Sequence, residues 1–98
     1  MYAIAIIRYR LAFDAIAPFV DEHRAYLREL KAAGRLLVSG PMDPRTGGVL
    51  LLRVPDEEGT AALDAIRDGD PFTTRKLAQY ELIPWAPVIG LDLLDAMM

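Results

Sequence analysis

The chain has no cysteine and a single histidine among its 98 residues. The first absence rules out disulfides, thiolate metal sites and cysteine nucleophiles, and nothing points to an oxidising compartment. The second leaves too few soft ligands for a transition-metal site, so no metal is expected. A basic excess is also missing: 11 Lys and Arg stand against 14 Asp and Glu, for a net charge of −3. Such a surface does not neutralise phosphates, and nucleic acid is not an expected partner. No apolar run reaches the ~18 residues of a membrane span. Arg8 and Arg10 follow the first apolar run instead of preceding it, which is the wrong order for an export signal. The expectation is a soluble cytoplasmic protein with no membrane partner.

What is abundant is apolar surface. Hydrophobic residues make up 53% of the chain before glycine is counted, above the usual ~45–50% with glycine included. A single domain of this length has an unfavourable surface-to-volume ratio. More apolar surface is present than one copy readily hides, which predicts a homo-oligomer.

Residues 2–10 read as a strand, with Tyr2, Ile4 and Ile6 on one face and Ala3, Ala5, Ile7 and Tyr9 on the other. Both faces are apolar, as in a central strand covered on both sides. Asp14 is the candidate N-cap of the first helix, with Pro18 complicating its first turn. Ile16, Phe19, Val20, His23, Tyr26, Leu27 and Leu30 then recur at helical spacing. Gly34 is suited to a left-handed C-cap. Two strands follow, beginning at Leu36 and spanning 49–54, and a turn-rich loop at 42–48 joins them as a hairpin. Asp56 is the candidate N-cap of a second helix with a thin stripe of Ala62, Leu63 and Ile66. A short turn from Pro71 leads to a last strand at 77–85. The order β-α-β-β-α-β predicts an α+β, ferredoxin-like fold: a four-stranded antiparallel sheet with two helices on one face. The other face then needs a cover, which a second subunit's sheet supplies. The domain is expected over residues 1–87, with an apolar tail at 88–98 packed on the domain or on the partner subunit.

His23 is the first candidate for chemistry, because its titration range suits general acid or base work. The competing reading is a histidine packed against the sheet with its nitrogens satisfied by backbone. Asp70 precedes Pro71, which drives it out of the helical region and makes it a natural N-cap. A carboxylate has two oxygens, so one can cap while the other orients an imidazole. A His–Asp pair holds the tautomer and favours the imidazolium, an arrangement suited to proton transfer. Ser39, Gly40 and Pro41 end a strand; Gly40 permits close approach of a ligand, and Ser39 offers a hydrogen bond but has no local activation as a nucleophile. A strand-end turn explains the same three residues. Arg8 reads either as a holder of an anionic substrate or as a solvated strand end. Tyr9, Phe72 and Trp85 read as pocket wall, core or interface.

The run His23-x-x-Tyr26-Leu27-x-x-Leu30-x-x-x-Gly34-Arg35-Leu36-Leu37-x-Ser39-Gly40-Pro41, followed by Asp70-Pro71-Phe72, resembles the YCII-related (YciI-like) family. The stretch Asp68-Gly69-Asp70-Pro71-Phe72 is also similar to the related DGPF-type domains. The resemblance implies a ferredoxin-like fold dimerised sheet to sheet, in the manner of dimeric α/β barrels. It implies a histidine–aspartate pair in a cleft, here His23 and Asp70. Family relatives with assigned chemistry resemble muconolactone isomerases and chloromuconolactone dehalogenases, which move protons on small lactones and eliminate chloride.

The function expected is therefore isomerisation or elimination on a small organic acid or lactone, without a cofactor. His23 serves as acid and base, Asp70 orients it, and Ser39, Gly40, Pro41, Arg8 and Phe72 contact the substrate. The alternative is a non-catalytic protein that binds a small molecule with the same fold and cleft.

Overall fold

Side-chain alternation in the first strand sets the architecture. Ala3, Ala5 and Ile7 are buried on one side of β1 (Tyr2–Tyr9), while Ile4, Ile6 and Arg8 lie on the other. In this computed structural model, which describes residues 1–97, β1 is a central strand. It pairs antiparallel with β3 (Gly47–Arg53) and with β4 (Ala78–Trp85). The edge strand β2 (Leu36–Pro41) forms the expected hairpin with β3 and completes the order β2-β3-β1-β4. This is the ferredoxin-like βαββαβ arrangement.

The helix side of the sheet holds the core. Ile7, Ile16, Leu50, Leu52, Leu63 and Phe72 are among the fully buried side chains, each worth about 1.5–3 kcal/mol of burial. The small side chains of Ala3 and Ala5, both wholly buried, leave room for the helices.

The first helical stretch is broken, and Asp14 is not its cap. Ala12 precedes the short α1 (Phe13–Ile16), a 3₁₀ turn follows at Ala17–Phe19, and α2 (Val20–Ala32) starts afresh. Pro18 has no N–H to continue the ladder, and it falls inside the 3₁₀ turn. Val20, Leu27 and Leu30 are the buried residues of α2. Gly34 ends it at φ 76°, with Arg35 N–H donating to the Leu30 carbonyl and Gly34 N–H to that of Lys31. That pair of bonds is the Schellman pattern, which requires the left-handed conformation.

Asp56 is likewise not a helix cap. The N-terminal ammonium of Met1 binds its carboxylate and holds it below the ordinary carboxylate range. Helix α3 (Gly59–Gly69) begins three residues later and buries Ala62, Leu63 and Ile66 as expected. The short α4 (Pro71–Thr74) follows directly.

In the tail, α5 (Leu91–Ala96) is tied to the domain by the Tyr2 hydroxyl, which donates to Asp95 at 2.7 Å. Leu91 packs in an apolar recess with Met1, Tyr2, Pro84 and Trp85. Val88 and Ile89 remain exposed, Ile89 almost completely at 98%. The expectation for the tail also covers Met98, which lies outside the described residues. No helix among the described residues is long and apolar enough to cross a membrane.

Candidate active site

The site forms where α2, the α3–α4 junction and the ends of β1 and β2 meet. Asp70 is its anchor. Pro71 and the end of α3 hold its backbone extended, at φ −72° and ψ 130°, the geometry of an N-cap. Its side chain is wholly buried, the only buried charged residue among those described. A carboxylate out of water is costly unless its oxygens are bonded, and here three donors reach it. Phe72 N–H donates to Oδ1 at 2.8 Å. His23 Nδ1 lies 2.9 Å from the same oxygen. The Tyr80 hydroxyl donates to Oδ2. One oxygen thus serves both cap and imidazole, where the sequence suggests a division between the two.

Burial, then the negative charge of Asp70, pushes Tyr80 far above the usual tyrosine range. The phenol therefore stays protonated and remains a donor. Tyr26, whose hydroxyl donates to the Ile66 carbonyl, is also pushed up, first by burial and then by Asp70.

His23 is held on two sides. Asp70 takes Nδ1, and the Phe72 ring stacks on the imidazole with centroids 4.0 Å apart and planes 8° off parallel. With Nδ1 taken by the carboxylate, Nε2 is the second ring nitrogen, and the one side-chain bond of the imidazole among the described residues is that to Asp70. The imidazole lines a cavity of about 180 Å³ bounded also by Tyr9, Arg24, Ser39, Gly40, Pro41, Arg45 and Phe72. Tyr9 meets Phe72 edge to face at 5.8 Å, so the two aromatics form one wall.

Ser39, Gly40, Pro41 and Phe72 are thus brought to the cavity with His23, as the sequence suggests. Arg8 is not. Alternation turns it to the opposite face from Ile7, where it pairs with Glu81 at 2.9 Å. Trp85 also lies away from the cavity, half-exposed at the far end of β4. No group of three or more His, Asp or Glu suited to a metal occurs among the described residues.

Three site residues escape a reading of the sequence. Tyr80 gives a period-2 signal for its face but none for its partner. Arg24 follows His23 directly, yet looks like an ordinary solvated helix charge. Arg45 sits in the hairpin loop, reaches back over the Phe13 ring at 4.3 Å, and has a buried Nε with no partner.

Comparison with known proteins places the fold. A solved structure of 5-chloro-2-hydroxyhydroquinone dehydrochlorinase (TftG) from Burkholderia phenoliruptrix, in complex with 2,5-dihydroxybenzoquinone, superposes with a TM-score of 0.76 at 23% identity. The match covers 92% of this chain and 98% of that one. No curated protein sequence matches. The model of the YCII-related domain matches residues 1–86, nearly the whole folded sheet and its helices, and the chain therefore belongs to the YCII-related domain family.

Proposed function

We propose that this protein catalyses cofactor-independent proton transfer on a small organic acid or lactone, by elimination or isomerisation. The observation that carries the reading is the His23–Asp70 contact, which commits Nδ1 on a ring that lines the cavity and leaves Nε2 for a substrate. Nε2 would take a proton from a carbon acidified by a neighbouring carbonyl. In elimination, the electron pair released from that C–H bond forms the new double bond as a leaving group such as chloride departs from the adjacent carbon. In isomerisation the imidazolium returns the proton to a different carbon. Asp70 stabilises the imidazolium in either case, and the bonds from Phe72 N–H and Tyr80 keep the carboxylate from turning away. The activity of the dehydrochlorinase with the same fold agrees with the elimination variant.

The cavity volume suits one substituted ring, since a cavity of about 150 Å³ accepts benzene. The direct test is exchange in D₂O. Wild-type protein is incubated with a panel of small lactones and chlorinated organic acids, and deuterium entering the substrate is followed by NMR. Replacing His23 by Asn should reduce exchange by about 10²–10⁴-fold, the usual worth of a general base. An unchanged rate in that variant would remove His23 from the mechanism. Compounds that bind without exchange in the wild type would favour the non-catalytic reading.

We also propose that two copies pack sheet to sheet in the cytoplasm. Ile4, Ile6, Val38, Val49, Leu51 and Ile83 form an apolar face on the side of the sheet away from the core, reached by α5 at its Tyr2 end, and Val38, Val49 and Ile83 are well exposed.

A further inference from the structure

Two cavities meet beside Ser39. The one that holds His23 is lined by Arg24 and Arg45 and by no acidic residue. A second, of about 220 Å³, continues between α2 and the edge strand β2, lined by Arg24, Leu27, Arg28, Lys31, Leu36 and Ser39. Arg24, Leu27 and Ser39 line both, so the two form one groove.

The cations of this groove have no acidic partners among the described residues, and what sets them apart from the other unpaired cations, Arg10, Arg53 and Lys76, is that they line one continuous acid-free groove. Arg8, Arg35, Arg67 and Arg75 all form ion pairs on other surfaces. Among the described residues Arg24, Arg28, Lys31 and Arg45 form none. Glu22, on the same helix, is taken by Arg75 outside the groove. Arg24, Arg28 and Lys31 follow one another at spacings of four and three, which sets like charges side by side on α2. Such spacing costs a helix a few tenths of a kcal/mol per pair; only Lys31, in the last turn of α2, is offset by the helix dipole. In a chain of net charge −3, an acid-free groove with four unpaired cations is organised for an anion that comes from outside.

We propose that this groove is a second anion subsite and that the ligand is an elongated organic dianion. The inference rests on reading the His23 cavity as a site for a small organic acid. One ring with an acidic group lies in that cavity against Arg45 and Arg24. A second anionic group, carboxylate or phosphate, lies by Arg28 and Lys31, ~10 Å further on by the rise of seven helical residues. Arg45 Nε, buried without an acceptor, is the donor that the first group satisfies.

The test is isothermal titration calorimetry on the full chain with two probes. One is benzoate. The other is benzoate carrying a three-carbon phosphonate at the para position, which places its anionic ends ~10 Å apart, matching the helical rise. The two-headed probe should bind roughly 3- to 10-fold tighter at low salt, the scale of one or two exposed ion pairs. Raising the salt should shrink that advantage, because the Debye length falls to about 10 Å at 0.1 M. In the double variant Arg28→Gln/Lys31→Gln the advantage should disappear, so that both probes bind alike. Arg45→Gln should weaken both together, and Arg45→Lys should recover part of the loss. Equal binding of the probes to the wild type, an advantage that survives the double variant, or no binding of either probe would each overturn the proposal. All of these readouts are affinities. Failure of the proton-transfer reading, which is judged by deuterium exchange, therefore shows separately.

Discussion

Replacing Asp70 by Ala tests how much of the fold depends on the site. The substitution removes an N-cap, worth about 0.5–2 kcal/mol. That figure covers the Phe72 N–H, the donor the cap satisfies; the substitution also strands the Tyr80 hydroxyl in the interior, at about 1–3 kcal/mol. His23 loses its partner too, but at 11% side-chain exposure it can turn to water. The combined loss is about 1.5–5 kcal/mol, against a total stability of about 5–15 kcal/mol for a domain. At 4–8 °C per kcal/mol for a chain of this size, Tm should fall by roughly 6 °C or more. Asp70→Asn behaves differently. Asparagine caps as well as aspartate, fills the same space and keeps an oxygen acceptor, so it should retain most of the stability while losing the charge that favours the imidazolium. The assay is urea unfolding followed by circular dichroism at one fixed protein concentration, with the midpoint and slope compared across the three proteins. If Asp70→Ala lies within 1 kcal/mol of the wild type, or if Asn is as damaging as Ala, the three-donor account of Asp70 is wrong.

Two further outcomes follow from the sheet. Val49→Glu, placed in the middle of the apolar outer face, should convert a sheet-to-sheet dimer into a monomer in light scattering; a mass equal to that of the wild type would remove this face from the interface. Gly47→Ala should prevent stable folding, because its added carbon would sit 1.8 Å from the Ile7 carbonyl oxygen inside the β1–β3 pairing, whereas a carbon added at Gly40 meets nothing within 4 Å. Thermal melts that rank the two variants equally would contradict that geometry.

Much of this arrangement is legible in the residues themselves. Pro71 dictates the backbone of Asp70, and the spacing of Phe19, His23 and Leu27 puts the histidine at the margin of a buried face. Strand order supplies the rest, since βαββαβ brings the first helix beside the end of the second. The misplacement of Arg8 also had its remedy in the sequence. Ile7 belongs to the core face, and a period of two sends its neighbour outward. The caps are a different matter. Asp14 and Asp56 have the right chemistry, but Pro18 and the N-terminal ammonium compete for the local geometry, and only the second of these is a long-range event. Tyr80 and Arg45 could not be assigned from pattern, because each earns its role from a partner more than nine residues away.

The two halves of the His23–Asp70 pair are bound into the fold to different degrees. Asp70 ties α3, α4 and β4 together, so the fold depends on it whatever the cavity does. His23 is in another position. It is packed by stacking and a single bond, and an aromatic or amide side chain could stand there at modest structural cost. Under the proposed proton transfer, the histidine is therefore the residue that the chemistry needs and the fold can spare.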